Sequence, residues 1–408
     1  MTSSDRPRLR ALEAFPIEQD GKRLIGLRDP SGFTDQVILL PVPALDIVSL
    51  FDGARSVTEI HQVVRSRHGA DVPGPEEIAR FAERLDEAGF LDSEGFAARR
   101  RGIEDAWLAG SSRPAAHAGG AYAGNPEALK SQIDGFFVHA DGPGLPVPAA
   151  GAPRLRGLIA PHIDFHRGGP TYAWAYRALL ERSDADLFVV LGTCHAGMAD
   201  PFAVTLKAYD TPLGAADADR DFFDALSRRY GHDLLASEAA HRSEHSIEFQ
   251  AVMLRRLVGR PFTILPVLAS FLHEAVWSGD EAEADPRVPR FLGALGETIA
   301  ASERRVCVIA GVDLAHVGPR FGDAAQNTVA SLDRVAREDR RMLEAVTASE
   351  AAAFFASVAA DGDSRRICGL SPIYAFLRAL PGSRGELLRY AQWPDPQGAV
   401  TYCAAAFS

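Results

Sequence analysis

The sequence predicts a three-layer α/β domain preceded by a small winged-helix-like module. Three observations carry this reading. From about residue 150 onward, apolar runs of strand length alternate with stretches of helical length, the pattern of strands joined by helices. Those runs are continuously apolar, as in strands covered on both faces. Ahead of them, short strand-like pieces lead into three closely spaced helices.

The module comes first. KRLIGLRDP and DQVILLP read as short strands. PVPALDIVSLFDG reads as a helix closed by Gly53, with Pro41 and Pro43 before it. SVTEIHQVVRSRHG opens on Ser56 with Glu59 three residues later, a capping box. Its Val57, Ile60, Val63 and Val64 share one helical face. PGPEEIARFAERLDEAGFL turns Ile78, Phe81, Leu85 and Phe90 inward. These elements place a module at 20–95. The stretch SEGFAARRRGIEDAWLAGSSRP is small and polar, and 96–112 reads as a linker. The remainder, 113–408, carries candidate strands LRGLIA, DLFVVLG, FAVTL, FTILPVLA, RVCVIAG, ELLRYAQ and VTYCAAAF. Helical stretches such as TYAWAYRALLER and EHSIEFQAVMLRRL lie between them.

Composition bounds the function. A chain of 408 residues fits two domains. No apolar run reaches the ~18–20 residues of a membrane helix. No apolar segment follows the basic residues near the start, so a secretory signal is not expected and the cytoplasm is. A net charge of −11 argues against nucleic acid as a partner. The four cysteines are widely spaced and form no CxxC pair. Cys307 and Cys403 sit in apolar strands and read as core.

Chemistry gathers just past the strands, where ligand sites of open α/β sheets lie. LIA runs into Pro161-His162-Ile163-Asp164-Phe165-His166. VVLG runs into Thr193-Cys194-His195, and VIAG into Val312-Asp313-Leu314-Ala315-His316. Ser243-Glu244-His245-Ser246-Ile247-Glu248 opens a helix, and Cys368-Gly369 precedes another. Converging His and Cys suit iron, copper or zinc; magnesium and calcium prefer oxygen. Asp313 and His316, three apart, are placed to orient a ligand or to act as acid and base. A polar pocket floor without metal is the competing reading. A zinc hydrolase is disfavoured, because no HExxH-type set is present.

The string APHIDFHRGGPTYAWAY resembles the Memo family's APHAGYxYSGxxAAxAY without a gap, and VVLGTCHAGM resembles its LGPSHH. DTPLG, EHSIEFQ, FTILPVL, GVDLAHVGPRFG and ICGLSPI match further blocks in the same order. The resemblance covers residues 113 to 408 and corresponds to the AmmeMemoRadiSam system protein B group. It implies a fold similar to class III extradiol dioxygenases, with Cys in place of their carboxylate ligand. Carried over, His162, His195 and Cys368 are the metal ligands, for one iron or copper ion per chain. Asp313, His316 and His245 take catalytic positions, with Glu244 and Glu248 lining the pocket; Asp164, His166 and Cys194 are further pocket residues that this sequence adds to the family pattern. Asp164 stands where the family has glycine, Thr193-Cys194 where it has Pro-Ser, Ala196 where it has a second His, and Gly311-Val312 where it has Ser-Ser. The group name implies a radical SAM enzyme and an AMMECR-type protein as partners. The first zone resembles PqqD-like modules, which implies a peptide ligand. The expected activity is redox or O₂-linked metal chemistry; the alternative is a non-enzymatic metal- or peptide-binding adaptor.

Overall fold

The computed structural model describes residues 5–19, 21–147 and 151–408. The chain divides into two compact units, Met1–Gly110 and Ser111–Ser408.

In the first unit, β1 (Glu13–Gln19), β2 (Lys22–Arg28) and β3 (Val37–Pro41) form an antiparallel sheet in that order. Helices α1 (Ala44–Val48), α2 (Val57–His68) and α3 (Pro75–Glu87) follow. The expected capping box of α2 is present: Ser56 N–H donates to Glu59 at 2.7 Å, and Glu59 N–H donates back to Ser56 Oγ. Ile60, Val64, Ile78, Leu85 and Phe90 close the core.

Two boundaries differ from the sequence reading. The unit begins with β1, ahead of residue 20. The stretch expected as linker is mostly helix, α4 (Glu94–Ala109). Ser93 Oγ caps it by accepting from Phe96 N–H, and Phe96 and Trp107 are buried along it. Its alanines and arginines are strong helix formers, and they outweigh Gly95 and Gly102 at ~1 kcal/mol each.

The second unit starts with β4 (Ser112–Arg113) and α5 (Pro126–Val138). Then come β5 (Gly157–Ala160), α6 (Phe165–Arg182), β6 (Leu187–Thr193), β7 (Phe202–Val204), β8 (Ala208–Tyr209), α7 (Arg220–Tyr230), α8 (Glu248–Leu257) and β9 (Thr263–Ala269). They are followed by α9 (Leu272–Ser278), α10 (Arg287–Ala301), β10 (Val306–Gly311) and β11 (His316–Val317). The chain ends with α11 (Val329–Thr347), α12 (Ala351–Ala359), α13 (Leu370–Ala379), β12 (Gly385–Trp393) and β13 (Ala399–Phe407).

The large sheet runs β11-β13-β5-β10-β6-β9-β7, with β12 paired to β13. Its centre, β5, β10, β6 and β9, is parallel, and antiparallel strands flank it. Alternate residues of β6 enter opposite cores. Leu187, Val189 and Leu191 pack with α7, α10 and α13, whereas Phe188 and Val190 pack with α5, α6 and α8. That is the three-layer arrangement, and it explains the unbroken apolar strands.

Candidate metal centre

Strands β5, β10 and β6 end level, because Gly311 is in register with both Ala160 and Gly192. His162, Asp313 and His195 therefore leave neighbouring parallel strands into one crevice. The segment before α8 closes its floor, which demands glycine in the strands. A Cβ on Gly311 would meet the Ser246 carbonyl at 2.5 Å, and one on Gly192 would meet Ser246 Oγ at 2.4 Å. Cys368 arrives from the loop before α13. Its N–H donates to the Leu314 carbonyl at 3.0 Å, which anchors it beside the end of β10.

Cys368 Sγ lies 3.1 Å from His162 Nε2 and 3.2 Å from His195 Nε2. Both rings are oriented from behind. His162 Nδ1–H donates to the Gly311 carbonyl at 3.0 Å. His195 Nδ1–H donates to Glu244 at 3.0 Å. With each Nδ1 turned away to its own acceptor, both Nε2 atoms face the sulfur. The three donor atoms lie within 4.8 Å of one another. An ion held at ~2.0–2.3 Å from nitrogen and sulfur fits such a set, and a backbone carbonyl and a carboxylate behind the imidazoles are the partners metal-bound histidines use. The residues present thus fit a soft or borderline metal. His162 is buried, Cys368 half-buried and His195 exposed, so the centre has a deep side and an open side.

Electrostatics agree with the geometry. Burial works against charging His162, yet the Cys368 thiolate and the Asp313 carboxylate outweigh it and raise its pKa to about 9. Burial would raise Cys368; the two imidazoles overcome this and hold it well below the usual thiol range. Burial also opposes the Glu244 charge, but His195 and His245 keep its pKa well below that of an ordinary carboxylate. These opposing signs describe a thiolate held by charged imidazoles, so a metal taking this site would find the sulfur already deprotonated and would displace the Nε2 protons.

The other expected site residues are placed as follows. His245 stacks on His195 with ring centroids 4.6 Å apart, and its Nδ1 is 3.3 Å from Glu244. Burial holds it neutral. Glu244 and His245 form with His195 a second group of donors. Asp313 accepts from the N–H groups of His162 and Ile163 at 3.0 and 3.2 Å. His316 does not use Asp313 as its hydrogen-bond acceptor; its Nδ1–H donates to the Leu314 carbonyl at 3.1 Å, and its ring meets Phe321 edge-on. Asp164 pairs with Arg167 on the first turn of α6, and His166 faces Trp393 at 6.3 Å. Cys194 is buried and sits in the core beneath α8; burial pushes its thiol up to about 12. Glu248 points away from the crevice into a fully buried ion pair with Arg113, and also accepts from the Tyr122 hydroxyl and the His117 N–H.

Two histidines that the sequence reading passed over matter here. His241 is fully buried, between the Tyr209 hydroxyl and the Ala203 carbonyl. His273 donates to the carbonyl of Ile367, next to Cys368, and lines a cavity of about 420 Å³. That cavity also takes in Gly197 and Met198, just beyond His195. His241 follows no strand, so no local signal marks it; His273 lies four residues past β9, and the strand-end signal could have found it.

Residues 113–405 match the model of a family described as Memo-like protein. A MEMO1 family protein of Methanopyrus kandleri is 33% identical over 72% of this chain and 98% of its own length. One from Aquifex aeolicus is 28% identical over 96% of this chain and 98% of its own, so that likeness extends through the N-terminal unit. One from Thermus thermophilus is 27% identical over 82% of this chain and 93% of its own.

Proposed function

Because the chain belongs to the Memo family, we propose that its C-terminal unit is a non-haem metalloenzyme of redox or O₂-linked type, built around one iron or copper ion on His162, His195 and Cys368. The observation that carries this is the pair of 3.1 and 3.2 Å approaches of Cys368 Sγ to two Nε2 atoms whose rings are fixed through Nδ1. A thiolate with two imidazoles selects iron, copper or zinc, and of these iron and copper supply electron transfer.

The ion would contribute one-electron or O₂ chemistry. The chain contributes position and protons. Glu244 and Gly311 fix the imidazoles, and Asp313 fixes the backbone of His162. His245 stacks on His195 with its Nδ1 turned to Glu244, and burial keeps it neutral. His316 likewise commits Nδ1 to a carbonyl, leaving Nε2 for a substrate proton. The cavity beside His195 offers substrate space. In this reading the enzyme acts with AMMECR-type and radical SAM partners.

The test is metal analysis of protein purified with and without air. One iron or copper per chain, lost in Cys368→Ala, supports the reading. Absence of metal under every condition overturns it.

A second reading, the adaptor, is favoured by the edge strand β3, whose Val37 and Leu39 are 50% and 40% exposed. Unpaired edge groups with alternating apolar side chains suit the addition of an extended peptide as a further strand. Leu39→Lys should abolish such binding; unchanged capture of peptides that bind the wild type would exclude this edge.

A further inference from the structure

We infer that Thr193 is a positioning residue for the metal centre, acting through the backbone of Cys368; this rests on the metal-site reading above.

Thr193 is the last residue of β6, two before His195, and it is buried. Its hydroxyl donates to the carbonyl of Cys368 at 3.1 Å, and its Oγ1 lies 3.8 Å from Cys368 Sγ. Its own carbonyl accepts from Ser246 Oγ at 2.9 Å, which secures it to the segment that carries Glu244. Cys368 is therefore gripped at both ends. Its N–H is held by Leu314, from the end of β10, and its carbonyl by Thr193, from the end of β6.

The two grips differ in what they fix. The Leu314 bond ties the cysteine to the strand between the two histidine-bearing strands. The Thr193 bond ties it to the strand that delivers His195, and so sets the Sγ to Nε2 separation across 173 residues of chain. The loop before Cys368 needs this. Asp363 and Arg366 hold positive φ of 54° and 52°, conformations that non-glycine residues adopt at a cost. A loop under that cost is held in register by bonds at its end. Three ligands from three separate segments bind an ion well only if their spacing is set before the ion arrives.

The hydroxyl can be removed with little change of shape. Thr193→Val keeps the β-branch that suits the end of a strand. Cobalt(II) is the probe, added to metal-free full-length protein. The thiolate-to-cobalt charge-transfer band reports the sulfur bond directly. We expect Thr193→Val to weaken cobalt binding by about 10–100-fold, the usual effect of losing a partner behind a ligand. The band should also shift or weaken per bound ion. Thr193→Ser, which restores the hydroxyl, should return both to wild type. If Thr193→Val does not fold, Thr193→Ala should show the same weakening.

Wild-type affinity and band in the Val variant, or in Ala where that replaces it, would overturn the inference. So would a Ser variant as weak as Val, since the hydroxyl would then not be the cause. Cys368→Ala separates this from failure of the metal site itself. If it binds cobalt as well as wild type, the ligand assignment falls; if it does not bind and Thr193→Val binds normally, only the role of Thr193 falls.

Discussion

Glu244 holds His195 twice, accepting its backbone N–H at 2.9 Å and its Nδ1–H at 3.0 Å. The same carboxylate accepts the N–H groups of His245 and Ser246. Glu248, one helical turn on, is equally buried but faces Arg113. Adjacent glutamates thus do different work. Glu244→Gln should reduce metal affinity about 10–100-fold, because the amide cannot accept all of these bonds or balance the imidazole charge. Glu248→Ala should leave Arg113 charged and unpaired, at ~3–5 kcal/mol of stability. Metal titration and denaturant melts on the two variants check this; similar profiles from both would refute the division of labour.

Among the cysteines only Cys368 should matter to metal. Cys307 and Cys403 are fully buried on β10 and β13, and burial raises both thiols. Their alanine variants should keep full metal content and lose about 1 kcal/mol each. Metal loss in either would place a ligand where the sheet does not allow one.

How far the sequence reached is visible in these residues. Strand-end position marked several histidines and Cys368 as candidates, the resemblance to the Memo family narrowed them to His162, His195 and Cys368, and level strand ends bring such positions together. Glu248 misled. It lies four residues from Glu244, but its partner Arg113 is 135 residues away, and no local pattern reports a buried ion pair of that span. The helix α4 was hidden for another reason. Its polar, alanine-rich sequence shows little apolar periodicity, and only its cap and two buried aromatics reveal it. The pairing of His316 with Leu314 rather than Asp313 depends on how the chain turns after β10, which spacing does not encode.

The division after Gly110 has its own consequence. Residues 111–408, produced alone, should unfold cooperatively and bind metal with wild-type affinity, since every ligand and every residue behind a ligand lies within them. A fragment that is folded by circular dichroism yet does not bind metal would show that the first unit completes the centre.

His241 should make the second unit acid-sensitive. It is neutral between the Tyr209 hydroxyl, which donates to Nδ1, and the Ala203 carbonyl, which accepts from Nε2–H. Burial depresses its pKa from 6.5 to about 3, and nearby Arg113 adds to this while Glu244 opposes it. Between those values the unfolded chain binds a proton that the folded chain refuses. Stability is therefore complete above about pH 6.5 and falls as the pH drops toward 3. From pH 7 to 5 the loss from this one group is about 2 kcal/mol. His241→Gln should be less stable at pH 7 but show a flatter pH profile by about that amount. Parallel profiles would mean that His241 is not the titrating group.

His316 and His245 separate an enzyme from an adaptor. Neither belongs to the set formed by His162, His195 and Cys368. His316 is half-buried at the start of β11, with Phe321 against its ring and Nδ1 committed to Leu314. Removing it deletes few contacts, so His316→Ala should cost about 1 kcal/mol or less and keep its metal. If its Nε2 handles a substrate proton, turnover should fall about 10²–10⁴-fold. His245 stacks on a ligand, so His245→Gln should keep stoichiometry but alter affinity modestly. His162→Ala and His195→Ala should lose metal and turnover together. Metal content, melting temperature and O₂ consumption on the four variants distinguish the cases. Loss of O₂ consumption in His316→Ala at full metal content fits an acid–base role. Metal loss there as large as in His162→Ala would make His316 a ligand and redraw the centre toward β11. A wild type that holds its metal but consumes no O₂ with any partner present would leave the adaptor reading in place.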